Sequence, residues 1–126
     1  MKFCTVINCM DGRIQLPVIN YLKKRFKVDY VDSITEAGPN SVLSQQKNNL
    51  LVESIIKRLK ISVENHSSVG IAIVGHFDCA GNPADYKTQI YQIRKSMNFI
   101  KKEFNKIEIV GLWVNGNWEV QDIENI

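Results

Sequence analysis

The chain has few cysteines and no long apolar segment. Its 126 residues include three cysteines, Cys4, Cys9 and Cys79, an odd and sparse set that does not suit the disulfide framework of a small secreted domain. No segment approaches the roughly 18 uninterrupted apolar residues that a membrane span requires. The first residues also lack the apolar stretch and cleavage site of a signal peptide. We therefore expect a soluble protein of the cytoplasm whose cysteines stay reduced.

A strong charge of one sign is also missing. The formal net charge is +3, and the densest basic runs, at residues 23–25 and 101–102, suit solvated helix faces better than a nucleic-acid surface. The glycines form neither a Gly-x-Gly-x-x-Gly motif nor a Walker-type loop with its lysine. We therefore expect a small-molecule substrate and no nucleic-acid or membrane partner.

What remains is an ordinary globular composition. Hydrophobic residues make up 44% and charged residues 23% of the chain, a balance that excludes a disordered protein. The length suits one domain, and no repeat or linker divides it, so we predict a single domain over residues 1–126. A domain of this size buries its core less fully than a larger one, and a metal or a second subunit would add stability.

Apolar residues alternate along the chain between strand-like runs and helical spacing. The predicted strands are residues 3–8, 28–34, 69–74, 107–114 and 118–123, and the predicted helices are residues 16–26, 45–60 and 85–104. Gly and Pro indicate turns or loops at residues 36–40 and 75–83, and Asn115-Gly116-Asn117 is typical of a hairpin. This order predicts an α/β fold: a mostly parallel sheet of about four strands, helices on both faces and a C-terminal edge hairpin.

Two short segments carry the residues best suited to chemistry. Cys9, Asp11 and Arg13 follow the first predicted strand as Cys-x-Asp-x-Arg, and His76 and Cys79 follow a later strand as His-x-x-Cys. Ligands of such sheets bind beyond the carboxyl ends of the strands, so the two segments can converge there. Thiolates and imidazole are preferred ligands of zinc, and three protein ligands leave a fourth position open. We predict one Zn²⁺ per chain, held by Cys9, His76 and Cys79.

These two motifs, in this order and at strand ends, resemble the signature of the β-class carbonic anhydrases. Residues 36–40, Glu-Ala-Gly-Pro-Asn, are similar to the Asn-Ala-Gly-x segment of that family. The closing strand around residues 110–114 and its hairpin are also similar to the family's. The resemblance extends from about residue 3 to residue 123, which is most of the chain.

The resemblance implies roles for the five motif residues. Cys9, His76 and Cys79 would hold zinc, Arg13 would orient Asp11, and Asp11 would accept a hydrogen bond from zinc-bound water. The resulting zinc-bound hydroxide would hydrate CO2 reversibly to bicarbonate. Members of the family usually build the pocket across a subunit interface, which implies a homodimer or a higher homo-oligomer. In some members the matching Asp instead ligates zinc and closes the site.

The sequence also departs from the family pattern. Met10 and Gly12 stand where a small residue and Ser are common, and Ala80-Gly81 replaces the usual Gly-Gly. Only eight residues precede Cys9, so the family's N-terminal helical arm and the upstream Gln that helps to hold bicarbonate are not part of this sequence. Two alternatives therefore stay open. The first is a hydrolase of another small heterocumulene, COS or CS2, and the second is a non-catalytic zinc-binding module whose fourth position Asp11 closes.

Four other polar or aromatic residues are expected to be structural. We interpret Cys4 as a small core residue, His66 as a solvated loop side chain and Asp78 as a loop residue that bonds local backbone amides. Trp118 is expected in the core or at an interface.

Overall fold

A computed structural model describes residues 1–126 and places five strands in one sheet. The strands are β1 Phe3–Cys9, β2 Tyr30–Glu36, β3 Gly70–His76, β4 Glu108–Val114 and β5 Val120–Asp122, and the helices are α1 Gly12–Phe26, α2 Pro39–Gln45, α3 Asn49–Asn65 and α4 Tyr86–Lys101. The strand order is β2-β1-β3-β4-β5. The first four strands are parallel, and β5 pairs antiparallel with β4. The predicted fold class is confirmed.

The core lies in two layers, one on each face of the sheet. On one face, Val6 of β1 packs in a cluster with residues of α1 such as Leu22. On the other face, the neighbouring Ile7 packs with Leu59 of α3 and Ile93 of α4. Burying such a side chain stabilises the fold by roughly 1.5–3 kcal/mol. Every residue of β3 is buried, because this central strand is covered by helices on both sides.

The structure differs from the prediction around residues 36–60. The predicted turn over residues 36–40 is wrong at its end, because Pro39 begins α2. Proline suits the first turn of a helix, where its missing N–H costs nothing. The predicted helix over residues 45–60 is displaced as well. The chain leaves α2 at Gln46, whose φ is 56°, and α3 begins after Asn48, which accepts a hydrogen bond from the Leu51 amide at 3.2 Å.

The C-terminal hairpin is shorter than predicted. The Trp118 amide donates to the Asn115 carbonyl at 2.9 Å and closes the turn, but β5 starts only at Val120. A 3₁₀ turn over Ile123–Asn125 follows, with the Asp122 carboxylate accepting from the Glu124 amide at 2.9 Å.

Two of the residues expected to be structural have defined positions in the fold. Cys4 is fully buried, as expected. The expectation that His66 is merely solvated is wrong, because its Nδ1 bonds the Asp32 carboxylate at 2.6 Å and its ring stacks on Phe3 at 4.2 Å. Asp32 also accepts from the Ser62 hydroxyl at 2.6 Å. None of the helices combines the length and the apolar character that crossing a membrane demands.

Candidate metal centre

Two adjacent parallel strands end at the candidate metal ligands. Cys9 is the last residue of β1 and His76 is the last residue of β3, and β1 and β3 pair directly. Cys79 follows in the loop before α4. All three side chains are buried. The sheet therefore brings the two distant motifs to one edge, although α1, β2, α2 and α3 lie between them in the chain.

The three ligand atoms lie close enough together for one ion. One atom from each residue lies within 4.8 Å of the other two, and the two sulfurs are 3.9 Å apart. With Zn–S bonds of about 2.3 Å, two sulfurs at tetrahedral positions lie about 3.8 Å apart. The spacing of the two thiols thus fits a shared tetrahedral zinc ion.

The hydrogen bonding of His76 also fits a metal ligand. Its Nδ1 lies 2.8 Å from the Phe77 carbonyl, and because a carbonyl can only accept, Nδ1 carries the proton. The lone pair of the neutral ring is then on Nε2, which is buried and has no hydrogen-bond partner. Buried polar atoms without a partner are rare. A histidine whose second nitrogen donates to a carbonyl is the usual arrangement in metal sites.

The thiol of Cys79 needs a nearby cation to ionise. Burial, together with the neighbouring Cys9, raises the pKa of Cys79 to about 11. Metal binding has the opposite effect, because it requires and stabilises the thiolate. A dication that contacts both sulfurs would therefore offset the cost of burying them as thiolates.

Asp11 and Arg13 form the pair that their spacing predicts. Asp11 caps α1, with its Oδ1 accepting from the Arg13 amide at 2.9 Å. The guanidinium donates from Nε to Oδ1 at 3.0 Å and from Nη2 to Oδ2 at 2.7 Å. These bonds, above all those from the Arg13 side chain, lower the pKa of Asp11 to about 2. The pair raises the pKa of Arg13, so both groups stay charged.

Comparison with known proteins identifies the family. A family model described as "Putative carbonic anhydrase" matches residues 1–124. The chain belongs to this carbonic anhydrase family. No protein of curated function matches it in sequence.

Solved carbonic anhydrases share its fold at low sequence identity. The β-carbonic anhydrase isoform I of Trichomonas vaginalis is 17% identical with a TM-score of 0.61, and the match covers 94% of this chain and 81% of that one. A carbonic anhydrase from Glaciozyma antarctica is 14% identical with a TM-score of 0.62, over 94% and 80% of the two chains. One of the tetrameric β-carbonic anhydrases of Sordaria macrospora is 13% identical with a TM-score of 0.58, over 97% and 80%.

In this carbonic anhydrase family member, two buried side-chain amides that are not predicted from the sequence support the carboxyl end of β3. Gln89 of α4 donates to the His76 carbonyl at 3.1 Å, and Asn40 of α2 donates to the Val74 carbonyl at 2.8 Å. One signal was available in the sequence, since Gln89, Gln92 and Ser96 interrupt the apolar face of a helix and are buried there. Polar residues on a buried helix face are expected to bond a neighbouring segment.

Asp78 does not bond local amides as expected. Its carboxylate accepts from Nη1 of Arg13 at 3.2 Å. The Arg13 guanidinium also lies 4.5 Å from the centre of the Trp118 ring. Nothing in the sequence indicates these contacts, because the three residues come from separate parts of the chain.

Close backbone packing at Gly38 gives a stability prediction. Gly38 has a φ of 62°, and a Cβ there would lie 2.6 Å from the Gly81 carbonyl oxygen. Gly38→Ala is therefore expected to lower the free energy of unfolding by about 2 kcal/mol or more, through strain and overlap together. Urea denaturation measures the loss. The control is Gly12→Ala in the first turn of α1, where a Cβ meets nothing within 4 Å. Equal stability of the two variants would contradict the prediction.

Proposed function

We propose that the chain is a zinc-dependent carbonic anhydrase that converts CO2 reversibly to bicarbonate. The observation that carries the proposal is the Cys9, His76 and Cys79 group beside an Asp11 that Arg13 holds in place. A zinc ion bound by three protein ligands has one position for water and lowers the pKa of that water towards about 7, which supplies a nucleophile for the carbon of CO2.

The roles of the protein side chains follow from their hydrogen bonds. His76 keeps its proton on Nδ1 and offers Nε2 to the metal. Asp11 is charged over the physiological range, because its pKa is about 2, so its carboxylate acts only as an acceptor. We propose that it accepts a hydrogen bond from the reacting water and so fixes the direction of that water's lone pair. Arg13 keeps the carboxylate in one orientation through its two donors on one edge.

We also propose that the protein acts as a homo-oligomer. Met10 follows Cys9 and Phe77 follows His76, and their side chains are 66% and 52% exposed. An apolar border of this kind next to a reaction site suits coverage by a second copy of the chain. The relatives from Sordaria macrospora are described as tetrameric. Size-exclusion chromatography with light scattering gives the state in solution.

The function is tested by stopped-flow measurement of CO2 hydration. Zinc-loaded protein is expected to hydrate CO2 at least about 100-fold faster than the same protein stripped of metal by a chelator, because only the former can supply the nucleophile near neutral pH. Hydrolysis of COS and CS2 is measured with the same preparations. Zinc-loaded protein that acts on COS or CS2 but not on CO2 would indicate the heterocumulene hydrolase. Bound zinc without activity on any of the three would indicate the non-catalytic module.

A further inference from the structure

The guanidinium of Arg13 is in contact on both of its edges and on one face. One edge donates to Asp11 through Nε and Nη2. The other edge donates from Nη1 to the Asp78 carboxylate at 3.2 Å and from Nη2 to the Asp78 carbonyl at 3.1 Å. The Trp118 ring lies 4.5 Å away against the face. The proposed function uses the contacts of Arg13 with Asp11. It does not use the contacts of Arg13 with Asp78 and Trp118.

Both of these additional partners have an unusual backbone conformation. Five residues other than glycine have a positive φ. Three of them lie at helix ends, where the left-handed conformation is common: Lys27 and Gln46 cap α1 and α2, and Ser67 follows the cap of α3. The other two are Asp78, with a φ of 58°, and Trp118, with a φ of 60°. Neither lies at a helix end, and both contact Arg13.

Neither Trp nor Asp is the ordinary residue for a positive φ, so it is informative that both of these residues contact Arg13. The hairpin turn that Trp118 closes needs a left-handed residue, for which glycine is the ordinary choice and a bulky side chain is strained. Asp tolerates this conformation better than most residues but less well than glycine. Strain that persists at such positions points to a use for the side chain. At both positions the side chain contacts Arg13, and Trp118 also packs against the core cluster that includes Cys9 and Cys79.

The contacts join three separate parts of the chain at the metal centre. Arg13 lies in the first turn of α1, four residues after Cys9, while Asp78 lies between His76 and Cys79, and Trp118 belongs to the β4–β5 hairpin. An exposed ion pair such as Arg13–Asp78, with side chains 46% and 69% exposed, restrains little by itself. A cation held on two edges and one face is restrained far more, because each contact limits the rotamers that the others must select.

We infer that Asp78 and Trp118 are positioning residues that clasp Arg13. The clasp holds Asp11, the segment with Cys9 and the segment with His76 and Cys79 in fixed positions relative to one another. The inference rests on the proposed function, since zinc is the group for which the segments are held. The clasp keeps the Cys9 and Cys79 segments from separating when thermal motion opens the metal site. It also leaves the guanidinium edge that faces Asp11 in a fixed orientation.

Zinc retention and the mobility of Arg13 test the clasp. Asp78→Asn and Trp118→Leu are expected to release zinc to a chromophoric chelator about threefold to tenfold faster than the wild type. In nitrogen-15 NMR spectra, the Nε–H signal of Arg13 should exchange with solvent faster by a similar factor. Trp118→Phe keeps an aromatic face and should restore most of the wild-type behaviour. The matched control is Glu108→Gln, which breaks the exposed Arg25–Glu108 pair at 2.6 Å and should change neither readout.

Asp78→Gly separates the carboxylate from the backbone conformation. Glycine relieves the strain at this position, so a purely conformational role predicts zinc release that is unchanged or slower. The clasp predicts faster release despite the relieved strain. Wild-type release rates in Asp78→Asn, Asp78→Gly and Trp118→Leu, with an unchanged Arg13 signal, would overturn the inference.

These readouts also distinguish the inference from the proposed function. Zinc release and the Arg13 signal do not depend on the turnover of CO2. A wild-type protein that retains zinc but does not hydrate CO2 would refute the proposed reaction. The clasp would then still be tested by the zinc-release rates and the Arg13 signals of the variants. A wild-type protein that cannot retain zinc would refute the proposed function together with the metal part of the inference.

Discussion

Cys79→Ser is expected to lose zinc and to melt at a markedly lower temperature than the wild type. Serine replaces a thiolate by a hydroxyl that is a far poorer zinc ligand, and two ligands from Cys9 and His76 would remain. We expect the affinity for zinc to fall by at least about 100-fold. Zinc present at about a thousandfold excess over its Kd stabilises the wild type by about 4 kcal/mol, which corresponds to a shift of roughly 10–20 °C in Tm for a chain of this length. Metal analysis and calorimetry measure the two effects.

Cys4→Ser is the matched control for Cys79→Ser. Cys4 lies in the same strand as Cys9, is fully buried and is a free cysteine outside the Cys9, His76 and Cys79 group. Burying a hydroxyl there should lower stability by about 1–3 kcal/mol, yet the protein should still bind one zinc ion. In a chelator, the difference in melting temperature between wild type and Cys79→Ser should shrink to the effect of the buried hydroxyl, because the rest of the difference is the bound metal. Full zinc content in Cys79→Ser would refute the ligand assignment.

The sequence predicts the metal centre because its residues follow strands that are easy to recognise. The apolar runs that became β1 and β3 each end at a motif, and parallel neighbours must present their carboxyl ends at one edge. The sequence therefore predicts that Cys9 can meet His76 and Cys79 at this edge, whereas the direct pairing of β1 with β3 is seen only in the sheet order. The Asp11–Arg13 pair is likewise local, since two residues in the first turn of a helix can reach each other.

Features that depend on tertiary contacts could not be predicted in this way. The sequence pattern predicts a turn at Gly38 and Pro39, but Gly38 lies so close to the Gly81 backbone that a Cβ would overlap it, and Pro39 begins a short helix. The contacts of Arg13 with Asp78 and Trp118 join residues 65 and 105 positions away along the chain, and only the packed hairpin brings the ring to the guanidinium. Periodicity reports which face of an element is buried but not which polar side chains meet at its ends.

Asp11→Asn is expected to abolish most of the CO2 hydration while zinc stays bound. Asn keeps the size of the side chain and its ability to cap α1, so the protein should fold normally. The amide lacks the negative charge and one of the two acceptor oxygens. It therefore weakens the hydrogen bonds from Arg13 and the hydrogen bond that Asp11 is proposed to accept from the reacting water. We expect kcat/KM to fall about 100-fold or more, the range for loss of a proton-handling group. Stopped-flow CO2 hydration and metal analysis are measured on the same preparation.

Asp85→Asn provides a close control, because Asp85 caps α4 just as Asp11 caps α1, with its Oδ1 accepting from the Thr88 amide at 2.8 Å. The same substitution at this exposed cap should leave the hydration rate and zinc content unchanged. Whether Asp11→Asn lowers the hydration rate or the zinc content then decides the role of Asp11. Lost activity with full zinc content supports a carboxylate that acts on the reacting water. Loss of zinc in Asp11→Asn, with retention in Asp85→Asn, would instead make Asp11 a fourth ligand, and that would favour the non-catalytic zinc module over the enzyme.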